Sequence, residues 1–178
     1  VLRQNWVGEA SVTDLQFMGQ TMRQVIRDVR PTIFSLQPLD WQPGGFATAL
    51  RQFVLGLAEQ TGWQATVTLP ERADRIPPHL EPLIFRLVQE SLTNVAKHAE
   101  AKTVEVEVCL LNNGRLLGLT IHDDGQGFEP DRQVGDGFGL KQMASRVNVM
   151  RGQFQIDSQP SQGTTVSATL PLMDDSHD

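Results

Sequence analysis

Apolar residues recur at three- and four-residue steps from Val12 to Phe34, where Leu15, Met18, Met22, Val25, Ile26, Val29 and Ile33 form one stripe and Arg23, Arg27, Asp28 and Arg30 fall mostly opposite. The spacing predicts a helix, with Pro31 as a kink or stop near its end. Its stripe is broad enough to pack on another helix, in the same chain or in a partner. The turn-rich LDWQPGG after Gln37-Pro38 marks a domain edge. The expected organisation is a helical segment over 1–38, a main body over 39–173 and an acidic, frayed tail over 174–178.

Within the body, Phe46, Ala49, Leu50, Phe53, Val54 and Leu57 place a second helix over Phe46–Thr61, stopped by Gly62. Alternation then predicts a strand from Gln64 to Leu69. Pro77 and Pro78 suit the opening of a helix running to His98, with Leu80, Leu83, Ile84, Leu87, Val88 and Val95 inward. Two strands, Thr103–Leu111 and Arg115–Ile121, meet at Asn112-Asn113-Gly114, a hairpin signal because Asn and Gly tolerate positive φ. A helix over about Phe138–Met150 and a closing strand pair, Gln153–Ser158 and Thr164–Leu170, complete the chain. Helices and mainly hairpin-linked strands in this order predict an α/β (α+β) fold. It is a two-layer sandwich with helices on one face of a mixed, mainly antiparallel sheet.

With 178 residues, 39% hydrophobic and 20% charged, the chain can bury a good-sized core. A net charge of −6 argues against a nucleic-acid partner, which would demand a basic footprint. A phosphate ligand held through Mg²⁺ and backbone amides stays compatible with an acidic protein. The single cysteine, Cys109, excludes an internal disulfide and a Cys-rich zinc site, and suits a reducing cytoplasm. No apolar run nears the roughly 20 residues of a membrane span, and VLRQNWVGEA lacks the features of a signal peptide. Membrane attachment upstream of Val1 stays open.

Three short segments carry candidate chemistry. On the helix ending at His98, Glu90, Asn94 and His98 sit at successive i+4 positions with Lys97 beside them. A carboxylate and an amide oxygen so placed can hold a Mg²⁺ ion that bridges phosphates, while Lys97 or His98 meets a phosphate directly. Glu90 can instead orient or deprotonate a nucleophile; a plain solvated helix face also fits the four residues. In LTIHDDGQGF, Asp123 ends a strand facing inward, where its carboxylate accepts from an exocyclic amine such as that of adenine. Gly125 and Gly127 follow, where missing side chains let backbone amides approach a ligand, or simply form an Asp-Gly turn.

The polar stretch EPDRQVGD suits a mobile cover, and Gly135, Gly137 and Gly139 then lead into the helix of Leu140, Met143, Val147 and Met150. A glycine-rich turn feeding a helix N-terminus presents free N–H groups and the positive dipole end to an anion, although such a turn also serves as a hinge or cap. Thr164 opens the last strand, where its hydroxyl can share a water with Asp123 and the adenine.

Together, QESLTNVAKHA, DDGQG, GFGL and GTTV, in this order, resemble the N box, two glycine boxes and closing motif of the ATP-binding catalytic domain of sensor histidine kinases, within the wider GHKL group of gyrase-type ATPases and Hsp90 chaperones. The likeness spans about Pro78 to Pro171 and implies the Bergerat ATP-binding fold. It implies that Asn94 binds Mg²⁺, that Glu90 supports the metal or acts as base, and that Lys97 and His98 face phosphates. Asp123 would hold the adenine amine, Gly125, Gly127, Gly137, Gly139 and Leu140 would shape the nucleotide site and its lid, and Thr164 would lie near the base. VIRDVRPTIFSLQP is similar to the second helix of the dimerisation hairpin in the nitrate-sensor-like subgroup, which pairs with helix-turn-helix response regulators.

The histidines here are His79, His98, His122 and His177, and none lies in the Glu-Leu-His-Asp pattern where that subgroup is phosphorylated. The resemblance therefore implies a cytoplasmic domain that passes the γ-phosphate of ATP to a histidine on a dimerisation helix absent from this chain, for relay to a response regulator. It implies a homodimer for the full-length kinase and a monomer or weak dimer for this chain. An anti-sigma-type serine kinase and a nucleotide-sensing module that transfers nothing are the alternatives.

Overall fold

The computed structural model describes residues 45–129 and 138–172, with residue 18 besides. The helix expected over 12–34, the edge at 38, Gly135, Gly137 and the tail 174–178 lie outside the described residues, except that Met18 is helical and exposed. The chain divides into two compact units, Val1–Leu36 and Gln37–Asp178, and the second is the body described below.

Helix α1 spans Gly45–Thr61 and buries Phe46, Leu50, Val54 and Leu57, the stripe its sequence spacing dictates. It ends at Gly62, whose φ of +82° would strain any residue with a Cβ. Strand β1 (Gln64–Thr68) follows, then a turn in which the Leu80 N–H donates to the Pro77 carbonyl at 2.9 Å. Helix α2 therefore begins later than Pro77-Pro78 suggest, at Glu81, with Pro82 in its first turn, and runs to Asn94. The proline pair builds the approach to the helix, and the third proline opens it.

Strands β2 (Thr103–Leu111) and β3 (Leu116–Asp123) form the expected hairpin, with Asn112, Asn113 and Gly114 all at positive φ. Helix α3 (Phe138–Val149) precedes β4 (Gln153–Ser158) and β5 (Thr164–Pro171). The sheet order is β1-β2-β3-β5-β4, in which only β1 and β2 pair in parallel. Mixed, mainly antiparallel pairing agrees with the sequence expectation.

Register decides which residues share a face. Val106, Ile121 and Val166 stand opposite one another across β2, β3 and β5, as do Val108, Leu119 and Ala168 one step along. All six are buried in one cluster with Leu50, Ile84, Leu87, Leu92, Met143 and Val147 of the three helices. The next residues along, Glu105 and Glu107 on β2 and Gln155 and Asp157 on β4, are exposed on the opposite face. The helices thus cover one side of the sheet, and each buried leucine adds about 1.5–3 kcal/mol of hydrophobic stabilisation. The Ser91 hydroxyl contacts the Met143 sulfur at 3.8 Å, tying α2 to α3 within this layer. Among the described residues, no helix is long and apolar enough to cross a membrane.

Candidate functional site

After Asn94 the backbone of α2 widens into a π-helical turn over Val95–Ala99 and stops at Glu100, in the left-handed region at φ +54°. Such a turn leaves carbonyls without their usual helical partners. Gln126 supplies the partners: its backbone N–H donates to the Ala99 carbonyl at 2.7 Å, and its side-chain amide donates to the His98 carbonyl. The glycine turn after β3 thereby caps the helix that carries the first candidate residues. Lys97 and His98 are exposed on this turn, while Glu90 and Asn94 are half-buried.

Asp123, the last residue of β3, is 4% exposed. Its Oδ1 accepts the Gly125 N–H at 2.9 Å. Burial pushes its carboxyl above the usual aspartate value, against the lowering effects of the Gly125 amide and of His122. Asp124 behaves oppositely. Its Oδ1 accepts the N–H groups of Lys102 and Thr103, both at 2.8 Å, and these bonds, that to Thr103 first, hold its carboxyl below the usual value. The adjacent aspartates thus divide the work: Asp124 staples the start of β2, and Asp123 faces the space between sheet and helices.

That space is a cavity of about 600 Å³. Glu90, Asn94, Lys97 and His98 line it from α2 and its π turn, Asp123 and Thr164 from the sheet, Gly127 from the turn, and Gly139 and Leu140 from the start of α3. The structure therefore brings together nine of the predicted site residues, drawn from segments far apart in sequence. Gly125 is buried behind the wall and does not line the cavity. Gly137 lies outside the described residues.

The glycines also serve a purpose that sequence reasoning did not assign. A Cβ on Gly125 would meet Ala99 Cβ at 2.6 Å and the Asp123 carboxylate at 2.7 Å. One on Gly127 would overlap the Gln159 carbonyl and meet the Gly163 carbonyl at 2.7 Å. These positions let one chain segment approach another, and Gly127 lines the cavity besides. Three residues absent from the prediction also shape the site. Gln126 and Ala99 line the cavity, and buried Ser158 anchors its edge by accepting the Phe128 N–H at 2.9 Å. Gln126 and Ala99 lay within quoted motifs and Ser158 did not, and the capping role of Gln126 depends on a helix end 26 or more residues away.

Among the described residues, no group of three or more His, Cys, Asp or Glu could hold a metal ion. Glu90 and Asn94 offer two oxygen donors one turn apart. This set fits a hard, strongly hydrated cation that takes its remaining ligands from water and a phosphate, and it does not fit zinc.

A family model described as histidine kinase-, DNA gyrase B-, and HSP90-like ATPase matches residues 79–174. The signal transduction histidine-protein kinase/phosphatase DegS of Brevibacillus brevis is 29% identical over 164 residues, covering 92% of this chain and 42% of that protein. The sensor protein VraS of Staphylococcus aureus is 28% identical over 152 residues, covering 85% and 43%. This chain thus spans less than half the length of these relatives. Its fold is similar to that of the histidine kinase domain from the Erythrobacter litoralis EL346 blue-light activated histidine kinase, with a TM-score of 0.61, 17% identity and coverage of 93% of this chain and 86% of that one.

Proposed function

Since the chain belongs to the histidine kinase-, DNA gyrase B- and HSP90-like ATPase family, we propose that it is the ATP-binding catalytic domain of a two-component sensor histidine kinase of the nitrate-sensor-like kind. The observation that carries this reading is a cavity lined jointly by Glu90, Asn94, Lys97 and His98 on the helix side and by Asp123 and Thr164 on the sheet side. A polar, cation-bearing wall suits a triphosphate. A buried carboxylate on the opposite wall suits a base that carries an amine.

In this reading Asp123 accepts from the exocyclic amine of adenine, and Lys97 and His98 orient phosphates. Asn94 and Glu90 are the residues that would hold Mg²⁺, which when bound neutralises charge on the transferring phosphoryl group. The bond from the γ-phosphorus to the bridging oxygen breaks, a bond to an imidazole nitrogen of the acceptor forms, and ADP leaves. In this reading Glu90 takes the proton that the imidazole gives up. The acceptor histidine sits on the dimerisation helix of the full-length kinase, a homodimer in the cytoplasm, and the phosphoryl group passes on to a response regulator. In the same reading residues 1–38 are a partial dimerisation and linker segment, in which VIRDVRPTIFSLQP is similar to the second helix of the dimerisation hairpin.

The test is transfer from γ-labelled ATP, with Mg²⁺, to a supplied dimerisation hairpin bearing the acceptor histidine. An acid-labile label on the histidine is expected, lowered about 10²-fold or more by Glu90→Gln with ATP binding retained. An acid-stable label, or transfer indifferent to Glu90→Gln, would overturn the reading.

A further inference from the structure

The buried polar residues among those described are Gln89, Ser91, Asp123 and Ser158. Gln89 pairs with Arg86 and Ser91 with Met143 in the helix layer, and Asp123 belongs to the cavity. Ser158, the last residue of β4, has had only an anchoring part so far. Register puts it opposite Thr164, and Thr164 opposite Asp123. The three stand in one row across β4, β5 and β3.

A hydroxyl has one proton to give and two lone pairs to offer, and Ser158 has three partners. Its Oγ donates to the Gly163 carbonyl at 3.0 Å, a group with no proton to return. One lone pair accepts the Phe128 N–H at 2.9 Å. The third contact, to Thr164 Oγ1 at 3.0 Å, can then be made only by the Thr164 proton entering the remaining lone pair. Thr164 consequently faces the cavity with lone pairs alone, beside a carboxylate that also only accepts.

We propose that Ser158 is a specificity-determining positioning residue: by taking the Thr164 proton, it makes the row an acceptor-only reader of a base that carries an exocyclic amine. The row reads that amine directly or through one water. The proposal rests on the ATP reading above. Without Ser158 the Thr164 hydroxyl can turn and donate to a carbonyl, the group that hypoxanthine carries in place of the adenine amine.

The experiment is calorimetric titration of the full chain with ATP and with ITP, for the wild type, Ser158→Ala, Thr164→Val and the double variant. Ser158→Ala is expected to narrow the ATP-over-ITP preference by about five- to tenfold, the worth of one hydrogen bond. In the Thr164→Val background the same replacement is expected to leave the preference unmoved, because no hydroxyl remains to be turned. Equal loss of affinity for both nucleotides, or an undiminished effect in the Thr164→Val background, would mark Ser158 as merely structural and overturn the proposal. A wild type that binds neither nucleotide overturns the ATP reading itself. Should Ser158→Ala fail to fold, Thr164→Val alone decides: weakened ATP with little change for ITP supports the acceptor-only row, and equal weakening overturns it.

Discussion

An oxygen of the Glu90 carboxylate crowds the place that a Cβ on Gly139 would take. Gly139 lies in the first turn of α3, where backbone N–H groups have no partner within the helix and the helix dipole is positive. The sequence suggested that the bare glycine turn admits a ligand anion at this point. The structure shows a protein carboxylate already beside it, so α2 and α3 meet at the residue proposed to act as base.

Gly139→Ala should therefore separate folding from chemistry. The obstructing atom is the free end of a flexible side chain, and Ala favours a helix over Gly by about 0.5–1 kcal/mol. Thermal stability is expected to hold or rise slightly, while phosphoryl transfer to a supplied histidine helix falls about tenfold or more as Glu90 swings aside. Wild-type transfer by a folded variant would sink the idea.

Gly163→Ala should do the reverse. Gly163 sits at φ +78°, and a Cβ there would overlap the Asp123 carbonyl, which is backbone and cannot turn away. A loss of roughly 2–4 kcal/mol in urea unfolding is expected from strain and overlap together. An unchanged midpoint would show that the start of β5 is more pliant than described.

Asp123 has a folded-state carboxyl raised above the unfolded value, chiefly by burial. Its contribution to stability is then fully present below the unfolded value and is lost as pH rises through the raised one. Asp123→Asn should stabilise the nucleotide-free chain at neutral pH relative to the wild type, with the gain shrinking towards acid pH. In the wild type, ATP affinity should begin to fall on acidification at a pH above the ordinary aspartate range. Urea unfolding and ATP titrations across pH check both, and a stability gain that grew towards acid would contradict the assignment.

Asp124 carries the opposite sign. Its carboxyl is lowered by the Thr103 and Lys102 amides, so its stabilisation is present above the unfolded value and is lost as pH falls through the lowered one. Asp124→Ala should lower the urea midpoint at neutral pH and cost progressively less in strong acid. Faster amide exchange at Lys102 and Thr103 should accompany it, and unchanged exchange there would remove the staple from the account.

Much of the body was legible because its signals are local. The stripe Phe46, Leu50, Val54, Leu57, the turn Asn112-Asn113-Gly114 and the alternation in β4 and β5 each lie within one element, and each element formed where its pattern predicted. The start of α2 was misplaced because Pro77-Pro78 is equally good at making the turn that precedes a helix. The π turn was invisible, since VAKHA reads as ordinary helix until Gln126 arrives to bind its carbonyls. Ser158 escaped notice for a related reason: its meaning resides in Phe128, Gly163 and Thr164, and a lone serine at a strand end advertises none of them.

The row of Ser158, Thr164 and Asp123 follows the pleat of an inner strand bonded on both sides. A slip of that strand by one residue would carry Thr164 to the open face and bring Thr165 inward, breaking the row between Ser158 and Asp123. The same slip would turn Val166 and Ala168 out of the core. Choosing the right base and keeping the sheet in alignment are thus guarded together, and a lineage drifting towards another nucleotide would have to change side chains in place, because sliding the strand is closed to it.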